Sequence, residues 1–155
     1  MASITESIEL DVPLRTAYNQ WTQFEEFPKF MEGIERVEQL DDTHLRWHGQ
    51  IAGKDEQWES EITEQEPDQR IAWKTTSGNG PEGVITFHRL EDQRCKVTVQ
   101  MDYEPDGVVE NVGSALGFDS RRVKGDLERF AELLEERGTE TGAWRGEVHQ
   151  DSVTG

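Results

Sequence analysis

The sequence predicts an α+β fold in which a curved antiparallel sheet of about seven strands packs against one long helix near the C-terminus. Three observations indicate this fold class. Apolar residues recur at helical spacing between Asp119 and Arg137, they alternate with a period of two over most of the preceding chain, and two short helical segments follow the first strand. Because the long helix must cover its apolar stripe, we expect the sheet to curve around it.

The C-terminal helix has the clearest pattern. Its apolar residues are spaced by four, three and four positions, which places them on one helical face: Val123, Leu127, Phe130 and Leu134. At about 1.5 Å per residue, this helix is about 28 Å long. The same face continues upstream through Val109, Val112 and Leu116, so we expect a shorter helical piece before the main helix.

The N-terminal region predicts a strand followed by two short helices. The strand has apolar residues at even positions: Ile4, Ile8, Leu10 and Val12. Glu6 shares their face. Pro13 ends the strand and suits the first turn of a helix, which continues at helical spacing over 14–24. The Phe27-Pro28 pair ends that helix, and 29–32 predict a second short turn.

Six further strands follow, separated by turn signals at 41–43, 53–55, 67–68, 78–83 and 92–93. Polar residues occupy alternate positions in these strands, which is typical of an antiparallel sheet with one wet face. The turn at 78–83 matches the pattern G-x-G-x-x-G, but a strand follows it instead of a helix. We therefore reject a dinucleotide site there.

Composition indicates one domain. We predict a single domain over 1–137 and a flexible acidic tail over 138–155. The net charge of −17 opposes binding to nucleic acid or to anionic membranes. Cys95 is the only cysteine, which excludes an intramolecular disulfide. No apolar run is long enough to span a membrane and no signal peptide is recognisable, so a cytoplasmic protein is expected.

The order of elements resembles a known superfamily. The residues that carry the resemblance are SIELDVP, the helix with Trp21, the segment FPKFMEGIERVE and the final helix. Over about 3–137 the chain resembles the START-like helix-grip (SRPBCC) superfamily, and within it the polyketide cyclase/dehydrase and coenzyme Q-binding START-domain group. The resemblance implies a seven-stranded sheet that grips the long helix, with a cavity between them for an apolar or amphipathic small molecule.

The inward faces of the strands and the long helix supply candidate ligand-binding residues. They are Trp47, Trp58, Ser60, Trp73, Thr75, Phe87, Met101, Tyr103, Val123, Leu127 and Phe130. The alternative for each apolar residue is ordinary core. The hydroxyls of Ser60, Thr75 and Tyr103 suit the orientation of a ligand carbonyl or phenol, or hydrogen bonds to backbone or trapped water.

The sequence offers few candidates for catalytic residues. Glu6 and Tyr103 are the candidates for acid–base chemistry, with a solvated strand start as the alternative for Glu6. His44 and His48 would stand about 13 Å apart on a strand, too far to share a metal. We predict neither a metal nor a cofactor.

Two features outside the inward faces stay open. Arg121, Arg122 and Lys124 suit an anionic head group at the cavity entrance, but i,i+4 pairs such as Arg122 with Asp126 on a solvated helix face are favoured. Trp144 docks on the domain, contacts a partner chain, or lies exposed in the tail.

The leading functional hypothesis is binding of a hydrophobic small molecule such as a lipid, quinone or polyketide. A polyketide cyclase or dehydratase is the first alternative, and a stress-related interaction protein is the second. We favour a non-enzymatic protein that is a monomer or weak homodimer, with no nucleic-acid partner and no integral membrane association.

Overall fold

The structure, a computed structural model, describes residues 2–51, 54–78, 81–103, 120–149 and 152–154. The main strands are β1 (Ala2–Leu10), β2 (Ile34–Gln39), β3 (His44–Ile51), β4 (Lys54–Glu66), β5 (Arg70–Ser77), β6 (Glu82–Glu91) and β7 (Arg94–Tyr103). They form an antiparallel sheet in the order β1-β7-β6-β5-β4-β3-β2. The predicted fold class is confirmed, because this curled seven-stranded sheet packs against a C-terminal helix.

Irregular pairing helps the sheet to curve. The register of β4 against β5 shifts between Glu59 and Ser60 and again between Ile62 and Glu64. A third shift, between Ile34 and Arg36, interrupts the pairing of β2 with β3. Since a bulge bends its strand and increases the local twist, these shifts favour a sheet that wraps around its inner face.

Two short helical segments follow β1, as predicted, but their bounds differ from the expectation. Helix α1 spans Leu14–Trp21, and a 3-10 helix spans Phe24–Lys29 with Pro28 inside it. The first helix ends early because the hydroxyl of Thr22 donates to the carbonyl of Asn19 over 2.6 Å and so replaces a helical partner.

The long helix α2 spans Ser120–Arg137, and its apolar stripe is buried as predicted. It runs along β1: the ammonium of Lys124 donates to the carbonyl of Ser7 over 2.5 Å, and the amide of Asp11 donates to the carboxylate of Glu135 over 2.8 Å. None of the described helices has the length and apolar character needed to cross a membrane. The predicted helical piece through Val109, Val112 and Leu116 lies outside the described residues.

The described part of the C-terminal segment is packed, whereas the sequence suggested a flexible tail. Strand β8 (Glu147–His149) pairs with β4 through Val148 and Gln65, and β9 (Ser152–Thr154) pairs with β8. Val148 is only 2% exposed. Because β3 pairs with β4 only as far as Glu61, the end of β4 has an open edge that β8 occupies. The placement of the domain boundary at 137 stays a prediction.

Polar side chains of α1 hold this C-terminal segment. The Gln20 carbonyl oxygen accepts from the amide of Thr141 over 2.8 Å, and the Gln20 amide donates to the Thr141 hydroxyl over 3.0 Å. The Asn19 amide donates to Glu140, and its carbonyl oxygen accepts from Arg145. Trp144 packs half-buried against the core, so of its open alternatives the structure shows docking on the domain.

Candidate functional site

A pocket lies between the inner face of the sheet and α2. Its described lining residues are Trp21, Phe24, Phe27, Met31, Ile34, Leu45, Trp47, Trp58, Ile62, Ile71, Trp73, Pro81, Val99, Met101, Arg122, Val123, Asp126 and Leu127. The part of this space that the centre of a water-sized molecule can occupy is about 80 Å³. Most of the lining is aromatic or aliphatic, so the pocket favours an apolar occupant.

Stacked aromatic rings form one wall of the pocket. The rings of Trp47 and Trp58 are nearly parallel, with centroids 5.8 Å apart and an interplanar angle of 7°. The ring of Phe27 lies 5.7 Å from that of Trp47 and 5.0 Å from that of Trp21. These contacts hold the rings in fixed positions, which gives the pocket a defined shape.

The indole N–H groups of two lining tryptophans have partners within the protein. Trp47 Nε1 donates to the hydroxyl of Ser60 over 2.9 Å, and Trp73 Nε1 donates to the carbonyl of Pro81 over 3.1 Å. A buried indole N–H needs such a partner. Once this need is met, both tryptophans can present apolar ring surface to the pocket.

The structure brings together several of the predicted ligand-binding residues at this pocket. Those that line it are Trp47, Trp58, Trp73, Met101, Val123 and Leu127. They come from the inward faces of β3, β4, β5 and β7 and from the apolar stripe of α2. The period-two and helical patterns therefore located both sides of the space.

The predicted hydroxyl groups have other contacts. Ser60 is buried and accepts from Trp47, so it orients a wall residue. Thr75 donates to the carbonyl of Pro81 over 3.0 Å. Neither residue is among those that line the pocket. The hydrogen bond of Thr75 to backbone is one of the alternatives that the sequence left open.

Three further predicted residues lie away from the described lining. Phe87 packs edge-on against Tyr18, with ring centroids 5.2 Å apart, and Phe130 packs against Trp21 and Phe30. Both are core residues. Glu6 is half-buried on β1 opposite Val99 and does not line the pocket. Tyr103 belongs to β7, but its side chain lies outside the described part of the structure.

Among the described lining residues, the charged side chains are Arg122 and Asp126 on α2. The solvated position that the sequence interpretation gave to this pair is wrong for Asp126, whose side chain is only 16% exposed. Its carboxylate accepts from the amide of Glu32 over 2.9 Å and pairs with Arg129. Burial raises the pKa of Asp126, while these hydrogen bonds and the charges of Arg122 and Arg129 act in the opposite direction.

Gly33 makes room for the guanidinium of Arg122. A Cβ atom at Gly33 would lie 2.8 Å from Arg122 Nη2, and the residue has a φ of +78°. Arg122 Nη1 donates to the carbonyl of Gln50 over 3.2 Å. The turn after the 3-10 helix and the end of β3 thus fix the guanidinium at one end of the pocket.

Comparison with known proteins places this fold and pocket in a family. Residues 10–132 match the family model described as "Polyketide cyclase / dehydrase and lipid transport". That match runs from the last residue of β1 into α2 and includes every described lining residue. The chain belongs to this family.

Relatives of this family member include one close in sequence. A protein of Streptomyces lincolnensis, described as an uncharacterized 17.2 kDa protein in the melC2-rnhH intergenic region, is 56% identical over 149 residues, covering 96% of this chain and 99% of that protein. Its description assigns no activity, so the close relationship adds no function.

Solved structures share the fold at lower identity. A START superfamily protein from Mycobacterium smegmatis is 17% identical, with a TM-score of 0.66 over 87% of this chain and 95% of that chain. The Zhui aromatase/cyclase from a Streptomyces species is also 17% identical, with a TM-score of 0.68 over 92% of this chain and 99% of that chain. These similarities establish the fold of this family member and leave its ligand open.

The 3-10 helix and its flanks supply lining residues that the sequence interpretation missed. Trp21, Phe24, Phe27 and Met31 all line the pocket. Their spacing of three, three and four is an available signal, because it continues the helical pattern of α1 through the Phe27-Pro28 pair. The sequence interpretation ends the helix at that pair.

A group of potential metal ligands lies where β8 meets β4. Glu64, Glu66 and His149 each offer a ligand atom, and these atoms lie within 4.8 Å of one another. Arg70 already pairs with Glu64 over 2.7 Å and with Glu66 over 3.8 Å. The carboxylates therefore have a guanidinium partner, and the absence of a metal site stays a prediction.

Proposed function

We propose that this protein binds a hydrophobic small molecule, such as a lipid, a quinone or a polyketide, in the pocket between the sheet and α2. The observation that carries the proposal is the lining itself, which is aromatic or aliphatic at every described position except Arg122 and Asp126. Water in such a space finds few hydrogen-bonding partners, so an apolar ligand that displaces it gains free energy.

Family membership supports this proposal at the level of class. The family description names polyketide cyclases, dehydrases and lipid transport, and polyketides and lipids are among the ligands proposed here. The fixed positions of Trp47 and Trp58 also support it, because pre-formed walls avoid the cost of ordering side chains when a ligand binds.

A titration with N-phenyl-1-naphthylamine, an uncharged apolar dye, tests the proposal on the full-length protein. We expect a saturable rise in dye fluorescence with one site per chain. Met101→Trp replaces a residue of the pocket wall with a larger one, which takes up part of the space left for the dye. Binding should weaken by roughly tenfold or more, because forcing extra volume into a filled site is costly. Phe87→Trp is the matched control, because it enlarges a core residue that does not line the pocket.

Failure of this test has a clear form. If the wild-type protein takes up no dye, or if Met101→Trp binds it as well as Phe87→Trp does, the pocket is not a binding site for apolar molecules. Circular dichroism of both variants would establish that each has folded before the affinities are compared.

A cyclase or dehydratase is a second candidate function, and the observation that favours it is Asp126. A largely buried carboxyl at the wall of an apolar pocket has the position that general acid–base catalysis requires. Glu6, the acid proposed from the sequence, does not line the described pocket. Asp126 is therefore the better candidate for a proton-transferring residue.

Proton exchange would distinguish an enzyme from a binding protein. The methyl protons next to the carbonyl of 2-acetylnaphthalene exchange slowly with deuterated buffer, and an enolising enzyme would accelerate that exchange. The catalytic candidate predicts an acceleration that falls by roughly 100-fold in Asp126→Asn. An acceleration that Asp126→Asn leaves intact, or none in the wild-type protein, would leave binding as the function.

The remaining expectations concern location and assembly. We propose a cytoplasmic protein that is a monomer or weak homodimer and that does not bind nucleic acid, because its net charge of −17 repels phosphate groups. Light scattering at two protein concentrations tests the assembly state, and retention on a DNA column at low salt tests the expectation about nucleic acid.

A further inference from the structure

The polar end of the pocket contains one positive and one negative side chain that are four residues apart on α2. Arg122 and Asp126 both contribute to the lining. Their charges balance, so this end of the pocket carries dipolar character without a net charge of its own. Arg129 also pairs with Asp126, but its side chain is 43% exposed and water screens its charge.

Both groups are held in place before any ligand arrives. Asp126 is fixed by the amide of Glu32 and by Arg129. Arg122 is fixed by the carbonyl of Gln50 and by its close approach to Gly33. A polar pair that is already oriented in an apolar pocket selects ligands by whether they match its donors and acceptors.

The balance of charge decides which head group fits. An anionic head group would gain from Arg122 but would be repelled by Asp126 and by the field of a protein with a net charge of −17. An uncharged head group with a carbonyl or ether oxygen accepts from the guanidinium, and its hydroxyl group donates to the carboxylate. A head group of the second kind satisfies both side chains.

We propose that the pocket selects uncharged amphipathic molecules whose polar head carries a hydroxyl group and an acceptor oxygen, and that Arg122 and Asp126 determine this selectivity. The inference rests on the proposed binding function and narrows its ligand class. Fatty acids and other carboxylates are thereby disfavoured. Hydrocarbons with no polar head are disfavoured as well, because they leave both charged groups without a ligand partner.

Competition against bound N-phenyl-1-naphthylamine tests the selectivity with three probes that share one ring system. They are 2-naphthol, which is uncharged at pH 7 and combines donor and acceptor in one hydroxyl group, 2-naphthoate, which is anionic, and naphthalene, which has no polar group. The wild-type protein should bind 2-naphthol roughly tenfold more tightly than 2-naphthoate, the effect expected of one hydrogen bond to a charged group. Naphthalene should also bind more weakly than 2-naphthol.

Two substitutions should change the relative affinity for 2-naphthol and 2-naphthoate in opposite directions. Asp126→Asn removes the negative charge and keeps an acceptor oxygen for the Glu32 amide, so 2-naphthoate should gain roughly tenfold. Arg122→Gln removes the positive charge, so 2-naphthol should lose several-fold and 2-naphthoate should lose more. Glu128→Gln and Arg121→Gln are the matched controls, because they make the same charge changes at exposed positions of α2.

The outcomes separate this inference from the proposed function. If the dye binds but the wild-type protein prefers 2-naphthoate, or if Asp126→Asn changes the preference no more than Glu128→Gln does, the inference is wrong and the binding function stands. If the dye itself does not bind, the proposed function fails first. The wild-type preference needs no substitution, so it decides the matter even if a variant does not fold.

Discussion

At the scale of single residues, the pocket depends on side chains whose roles come from their neighbours. Trp47 and Trp73 are wall residues because Ser60 and Pro81 satisfy their indole N–H groups. Asp126 is a pocket residue because the turn at Glu32 covers it. Residue type alone does not predict these roles, because a serine on an inner face can hydrogen-bond equally well to a ligand or to a tryptophan of the wall.

Gly33 offers a residue-scale prediction with a close control. Gly33→Ala should lower the free energy of unfolding by about 1–2 kcal/mol, because an alanine at a φ of +78° is strained. It should also displace the guanidinium of Arg122, which a Cβ atom would approach to 2.8 Å. Urea unfolding measures the first effect, and the ratio of 2-naphthol to 2-naphthoate affinity reports the second.

Gly138→Ala is the control for that experiment. Gly138 has a φ of +77° but nothing within 4 Å of its Cβ position. Both variants should therefore lose similar stability from backbone strain, and only Gly33→Ala should alter the ligand preference. An unchanged preference in Gly33→Ala would show that Arg122 does not depend on this turn.

Tyr18 gives a prediction about alkaline pH. Burial raises its pKa to about 12, against an ordinary value of 10.0, and the phenol oxygen accepts from Gln65 over 3.0 Å. The unfolded chain releases this proton near pH 10 while the folded chain keeps it, so the contribution of Tyr18 to stability is complete below pH 10 and is lost as the pH rises towards 12. Tyr18→Phe should therefore lose less stability than the wild-type protein between pH 10 and pH 12.

Urea unfolding at pH 9, 10 and 11 measures this difference. Phenylalanine keeps the ring contact with Phe87 and removes the titrating group. Parallel stability curves for the two proteins over that range would mean that the Tyr18 phenol ionises as readily in the folded protein as in the unfolded chain.

At the scale of elements, the period of the sequence pattern determined what was predictable. The strands alternate with a period of two, and α2 keeps its apolar spacing over about three turns, so both faces of the pocket followed from the sequence. The 3-10 helix did not, because Pro28 inside it is read as a helix end. Strand β8 is three residues long, which is too short for any period to be visible.

The position of Asp126 could not be predicted for a different reason. Helical spacing places it beside the apolar stripe, next to Val123 and Phe130, but spacing does not say what covers that flank. The cover comes from the turn around Glu32 and Gly33, nearly 100 positions earlier in the chain. Contacts between such distant segments belong to the tertiary structure and cannot be read from one sequence.

The packed C-terminal segment gives an element-scale prediction. Gln20→Ala should cost about 1–3 kcal/mol in the full-length protein, because the Thr141 amide and hydroxyl lose their partner. In a chain that ends at Arg137 the same substitution should cost much less. A double-mutant cycle by urea unfolding measures this coupling, and additive effects would contradict the packed segment.

At the scale of the whole molecule, the net charge affects solubility and stability in opposite directions. A net charge of −17 favours solubility but destabilises the compact state through self-repulsion. The described salt bridges are mostly at the surface and offset little of this repulsion. Stability should therefore depend on ionic strength more than that of a neutral domain of the same size.

Thermal unfolding in increasing NaCl tests that expectation. Between 0.05 and 1 M salt at pH 7, the Tm should rise by about 2–4 °C, the shift expected of about 1 kcal/mol in a chain of this length. Near pH 4.5, where the sequence reaches its isoelectric point, the salt effect should largely vanish. A Tm that ignores salt at pH 7 would show that the charge does not limit stability.

The proposed function requires that the space between the sheet and α2 receives an apolar molecule. Of the five tryptophans, Trp21, Trp47, Trp58 and Trp73 line that space, whereas Trp144 packs elsewhere. The five indole N–H signals in a nitrogen–proton correlation spectrum therefore report the site directly. During titration with N-phenyl-1-naphthylamine, we expect the four lining signals to shift together to saturation while that of Trp144 stays in place. Lining signals that do not move, or a shift confined to Trp144, would contradict the proposed function.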